Sequence, residues 1–242
     1  MNLRDKVILI TGGATGIGRA TADLCAADHA RVIVADINDQ AGEEAARALN
    51  GTFIHVNVAD ETSVKALVEK IATQYDYLDG WLHAAAILKG AHVALDEYTF
   101  DTWRSVLDVN LTGTFLCAKY AAPLLKGSGR GVIVLISSIA ATLGSSSFAY
   151  GASKGGVQSL GITLAQRLAP DGIRVNVVSP DSIDTQMKRS VIAAEAERRG
   201  DPAKFEAIVR NANLGQPEGL AKVLAWLLSE DADYVRGTIF TR

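Results

Sequence analysis

A chain of 242 residues that is 48% hydrophobic can bury a large core, and roughly 200–250 residues is an ordinary length for one α/β domain. A formal net charge of −3, with no Lys/Arg run longer than two, argues against a nucleic-acid partner. Cys25 and Cys117 lie far apart and give neither a disulfide framework nor a metal-ligand spacing, so no metal site is expected.

From the N-terminus, Met1-Asn2-Leu3-Arg4-Asp5-Lys6 runs directly into an apolar strand rather than a signal-peptide layout. No stretch reads as a membrane span. The expectation is a cytoplasmic protein without a membrane partner. Strands are predicted at Val7–Ile10, Arg31–Ala35, Thr52–Val58, Leu78–Ala84, Gly131–Ile136 and Arg174–Val178. They are rich in Val and Ile and apolar on both faces, which suits a parallel sheet covered on both sides. Helical patterns alternate with them near 16–28, 39–49, 61–75, 99–125 and 151–169. The last carries Val157, Leu160, Leu164 and Leu168 at helical spacing. This alternation predicts an α/β fold of Rossmann type: one doubly wound parallel sheet with helices on both faces and right-handed crossovers. Residues 186–213, which include Arg198-Arg199-Gly200-Asp201-Pro202, read as a helical excursion over a site. Pro217 opens a further amphipathic helix, and Gly237–Thr241 can add a final strand. With no repeat or long linker, residues 1–242 are read as one dinucleotide-binding and catalytic domain.

The first strand runs into Thr11-Gly12-Gly13-Ala14-Thr15-Gly16-Ile17-Gly18. Gly12, Gly16 and Gly18 allow a tight turn and close approach of backbone to a ligand. The helix that starts there offers free N–H groups and a positive dipole end to a pyrophosphate. The second strand ends at Asp36, followed by Ile37. An acid at that place accepts hydrogen bonds from an adenosine ribose and repels a 2′-phosphate, and Thr15 supplies no compensating cation. NAD is therefore favoured over NADP.

Tyr150 and Lys154 stand four residues apart, one above the other on a helix face. A free tyrosine titrates near pH ~10, and a neighbouring cation favours the phenolate. The spacing alone also fits an ordinary solvated helix face.

Taken together, these residues resemble the short-chain dehydrogenase/reductase family. The resemblance covers Lys6 to about Gly237. It is carried by the glycine loop, by Asn110 in Asp108-Val-Asn-Leu-Thr-Gly113, by Ser138 in Ile136-Ser-Ser138, by Tyr150-x-x-x-Lys154 and by Arg174-Val-Asn-Val-Val-Ser-Pro180. It implies a catalytic tetrad of Asn110, Ser138, Tyr150 and Lys154. Tyr150 would exchange a proton with the substrate oxygen, which Ser138 would orient. Lys154 would bind the nicotinamide ribose and lower the tyrosine pKa, and Asn110 would hold a water that links Lys154 to solvent. Adjacent Ser137 is the alternative to Ser138, because a strand turns only one of the two toward the site. Further cofactor contacts implied are Thr15 and Ile17 in the loop, Asn57 and Val58 after the third strand, Ala85 after the fourth, and Pro180, Ile183 and Thr185 after the sixth. The resemblance also implies a homotetramer or homodimer.

The chain departs from the family pattern at His83-Ala84-Ala85-Ala86, where His83 is read as structural, at Pro180-Asp181, and in a shortened tail. Asp181 either lies beside the reactive ring or points to solvent. His29, His55 and His92 have no partner nearby in sequence, and Glu195–Arg199 reads as a solvated helix face.

The leading reading is an NAD-dependent oxidoreductase that interconverts a secondary alcohol and a ketone, with a small-molecule alcohol or ketone as its partner. The alternatives are a 3-oxoacyl-thioester reductase using NADPH and a non-catalytic dinucleotide-binding regulatory protein.

Overall fold

The computed structural model describes residues 1–200 and 204–241. Asp201 and Pro202 of the expected excursion, and Arg242 of the tail, lie outside the described residues. Seven strands form one parallel sheet: β1 (Val7–Thr11), β2 (Arg31–Asp36), β3 (Thr52–His55), β4 (Gly80–His83), β5 (Val132–Ile136), β6 (Arg174–Pro180) and β7 (Gly237–Thr241). Their spatial order is β3-β2-β1-β4-β5-β6-β7. The chain winds outward from β1 in one direction and resumes beside it with β4. The crevice beyond the carboxyl ends of β1 and β4 is thus a topological switch point.

Side-chain alternation gives each strand two buried faces. Leu9, Trp81, Ile133 and Val175 point to one side and pack with α3 (Glu61–Ala72), α5 (Gly113–Gly127) and α7 (Phe148–Leu168). Ile8, Ile10, Leu82 and Val134 point to the other and pack with α1 (Gly16–Ala27), α2 (Asp39–Leu49) and α10 (Pro217–Leu228). A sheet covered on both faces needs apolar residues at successive positions, which is why the strands read as continuous Val/Ile runs.

Three differences from the sequence expectation matter for the site. The segment 99–125 is not one regular helix. It comprises α4 (Phe100–Leu107), a π turn at Asp108–Thr112 and α5. Helix α7, which carries Tyr150 and Lys154, begins at Phe148 rather than 151, because Ser147 caps it by accepting from the Tyr150 N–H. Between β5 and α7 a short helix, α6 (Ala140–Leu143), occupies what reads in sequence as loop. The excursion contains α8 (Gln186–Arg198) and α9 (Phe205–Asn211). Among the described residues no helix is long and apolar enough to cross a membrane.

Candidate active site

The glycine loop closes onto the end of β4. Gly12 sits at φ +73°, and a Cβ there would run into the backbone of Ala84 and Ala85, while one on Gly18 would meet the Gly12 carbonyl. The first turn of α1 holds no acid, and Thr15 makes no side-chain cap, so the positive helix end stays uncompensated. Asp36 is held from two directions. One carboxylate oxygen accepts from the Ala14 N–H at 3.1 Å and the other from the Asn38 N–H at 3.1 Å. Capping of α2 falls to Asn38, not Asp36.

These residues border a hollow of about 330 Å³. Gly12, Thr15, Gly16, Ile17, Gly18, Asp36, Ile37, Asn57, Val58, Ala85, Tyr150, Lys154 and Thr185 all line it. Pro180 and Ile183 line a second hollow instead, of about 250 Å³, together with Leu88, Ser138, Ser145, Ser146, Tyr150, Asp181, Met187, Lys188 and Val191. The two hollows meet at Tyr150. Ser138 borders only the second and Lys154 only the first.

This junction is locked by a double stitch between β5 and α7. The Ser137 hydroxyl donates to the Lys154 carbonyl at 2.8 Å, and Lys154 Nζ donates to the Ile136 carbonyl at 2.7 Å. Ser137 is thereby consumed in structure. Ser138 Oγ accepts from the Ala140 N–H at 3.1 Å, which leaves its own proton to donate. Burial pushes the Lys154 ammonium down to about 8. Its Nζ stands 5.7 Å from the centre of the Tyr150 ring. Contrary to the expectation that Lys154 lowers it, the Tyr150 phenol is raised above its ordinary value: burial dominates, and a hydrogen bond with Ser138 acts against it.

Asn110 lies in the π turn and is buried. Its amide oxygen accepts from the Ile87 N–H at 2.8 Å, and its amide nitrogen donates to the Ile87 carbonyl at 2.9 Å and to Ser153 Oγ at 3.0 Å. Ser153 Oγ donates in turn to the Tyr150 carbonyl. Asn110 thus ties the segment after β4 to the helix that carries Tyr150. Deeper in the sheet, His83 is buried and neutral, driven down to about 3 by burial and by the Lys154 charge. Its Nδ1 meets Thr11 Oγ1 at 2.7 Å, and Trp81 Nε1 donates to the same hydroxyl.

Several further residues hold the surroundings of the site in place. Ser147 Oγ donates to the Lys89 carbonyl at 2.7 Å and contacts the Tyr98 hydroxyl at 2.9 Å, fixing the loop before α4 against the start of α7. The run of serines before Phe148 is the cap signal that could have placed the helix start there. His92, which has no partner nearby in sequence, meets Glu195 of α8 at 3.2 Å. Glu195 also pairs with Arg198 and Arg199, so it is no simple solvated face, and the two arginines hold its carboxyl down at about 2. His55 pairs with Asp39 at 2.7 Å. Asp181 is exposed and lines the second hollow, and its φ is not positive, so the position does not require glycine. Leu143 and Phe148 are exposed to solvent and line neither hollow.

Comparison with known proteins gives concordant results. Residues 12–241 match a family model described as enoyl-(acyl carrier protein) reductase. Cis-4-hydroxycyclohexanecarboxylate dehydrogenase of Sinomonas cyclohexanicum is 36% identical over 241 residues, covering 97% of this chain and 94% of that protein. Cyclohexanol dehydrogenase of Acinetobacter sp. strain SE19 is 37% identical over 240 residues, covering 97% of this chain and 92% of that protein. The crystal structure of levodione reductase has a TM-score of 0.89 at 29% identity, covering 99% of this chain and 96% of that one.

Proposed function

The chain belongs to the short-chain dehydrogenase/reductase family, and from that premise we propose that it interconverts a cyclic secondary alcohol and its ketone with NAD. The observation that carries this reading is the meeting of two hollows at Tyr150, with Ser138 on one side and Lys154 on the other. The relatives named above for cyclohexanol and hydroxycyclohexanecarboxylate oxidation support the alcohol class.

The larger hollow fits a dinucleotide. The open N-terminus of α1 suits a pyrophosphate, and Asp36, oriented by two backbone N–H groups, suits a ribose diol. When bound, the nicotinamide ring supplies the acceptor or donor for hydride. Everything else falls to the chain. Ser138 donates to the carbinol or carbonyl oxygen and sets its distance from Tyr150. In oxidation, Tyr150 takes the hydroxyl proton as the carbinol carbon loses hydride; in reduction it returns that proton to the carbonyl oxygen. Lys154 spends one of its three donors on Ile136 and keeps two for the dinucleotide side. Its positive charge favours the phenolate that oxidation needs against the burial that disfavours it. Asn110 holds Ile87 and Ser153 in place around this pair.

Fluorescence titration with NADH and NADPH tests the cofactor assignment. Tighter NADH binding is expected, and tighter NADPH binding would remove the argument from Asp36. Tyr150→Phe is expected to lower turnover of cyclohexanol by about 10²–10⁴ while retaining NADH binding. Undiminished turnover in that variant excludes Tyr150 as the acid/base.

A further inference from the structure

The second hollow is lined by a basic residue that a neutral alcohol leaves unused. Lys188, in the first turn of α8, lines that hollow and is half-buried. Among the described residues no carboxylate pairs with it. The acids around it are otherwise committed: Asp184 gives both oxygens to Arg189 at 2.7 and 2.9 Å, and Glu195 is held by His92, Arg198 and Arg199. Asp181 alone shares the lining, and it is exposed to water, where its repulsion of an anion is screened. The lysine backbone is fixed, since its N–H donates to the Thr185 cap at 3.3 Å.

An ammonium without a counter-ion at the edge of a hollow gains from an anion that enters beside it. The rest of the lining fits a small bifunctional molecule. Leu88, Ile139 and Val191 offer apolar wall to a carbon ring, Ser145 and Ser146 offer hydroxyl donors, and about 250 Å³ suits one ring rather than two. We propose that the substrate carries a carboxylate as well as its secondary hydroxyl, and that Lys188 binds the carboxylate while Ser138 and Tyr150 handle the hydroxyl. This rests on the alcohol-oxidoreductase reading above and narrows it to hydroxy and oxo acids.

The test compares NAD-dependent oxidation of 4-hydroxycyclohexanecarboxylate, its methyl ester and cyclohexanol. The acid is expected to exceed the ester in kcat/KM by about tenfold or more at low salt, a preference that shrinks as ionic strength rises. Lys188→Met is expected to lower the acid-to-ester ratio by about tenfold, and Lys188→Arg to retain most of it. Asp181→Asn is expected to raise the ratio. Turnover of the ester and cyclohexanol with no preference for the acid overturns the Lys188 assignment and leaves the alcohol reading intact. An acid-to-ester ratio unmoved by Lys188→Met has the same consequence. Preference for 4-aminocyclohexanol, weakened by Asp181→Asn, overturns it in favour of a cationic substrate. No turnover of any of these alcohols overturns both readings.

Discussion

A lysine shut away from water, as Lys154 is, destabilises the fold whenever it carries a proton. Its value of about 8, against an ordinary 10.5, means that the unfolded chain binds the proton more tightly between those limits. Stability contributed through this group therefore rises as pH climbs from about 8 to about 10.5, and below that window the buried charge costs roughly 3 kcal/mol. Lys154→Met is expected to unfold at higher temperature than the parent protein at pH 7, with the gap closing as pH approaches 10.5. Thermal scans across that range check it, and a gap that widens with pH contradicts the assignment. The same residue shows what a linear reading can and cannot deliver. Tyr150, Lys154, Asp36 and the glycine loop are recognisable because each depends on neighbours a few positions away. That Ser137 stitches α7 to β5, or that His83 leans on Thr11, depends on chain crossings of 17 and 72 residues that no local pattern encodes.

At the level of elements, the strands and most helices follow from apolar runs and periodicity, and their errors cluster where one residue changes the winding. The π turn at Asp108–Thr112, Asp-Val-Asn-Leu-Thr, contains no glycine or proline to set it apart from the helices on either side. An extra residue in a turn alters hydrogen-bond spacing without altering propensity, so nothing in 99–125 marks it. The early start of α7 is a cap effect. Ser147 is wholly buried, and it both closes the helix and grips Lys89 and Tyr98. Ser147→Ala is expected to lose about 1 kcal/mol as a cap, a drop of about 2–4 °C in Tm, together with further loss from the loop contacts. Because Tyr150 lies in that first turn, kcat is expected to fall in the same variant. An unchanged Tm would show that the cap and the loop grip contribute nothing. His92 and Glu195 make a second joint between elements, linking the loop after β4 to α8. Neither was legible as a pair, since more than a hundred positions separate them and only the fold brings them together.

For the whole molecule, the sheet order gathers the expected cofactor residues, Pro180 and Ile183 excepted, around one hollow, and the doubly wound arrangement was legible in the alternation of strand and helix. Assembly is less so, because an apolar residue on a helix looks alike whether it faces its own core or a second copy. Phe100 of α4, Phe115 of α5 and Ile162 of α7 are exposed at 65%, 48% and 45%. Apolar side chains left open on these three helices offer a surface on which a homodimer or homotetramer would form. Light scattering at micromolar concentration is expected to give a multiple of 25.6 kDa. Phe115→Asp with Ile162→Asp is expected to lower that mass, and a monomer in the parent protein contradicts the assembly.

Thr185 links the two compartments. Its hydroxyl caps α8, and its side chain borders both hollows. A dinucleotide in the first hollow would bear on the first turn of α8, which lines the second, and would thereby shape the place where the proposed alcohol enters. The expected kinetics are sequential with the dinucleotide leading. A non-reactive alcohol analogue should then be uncompetitive against NAD and competitive against the alcohol. One threonine shared between two rooms becomes, on a reciprocal plot, a set of parallel lines.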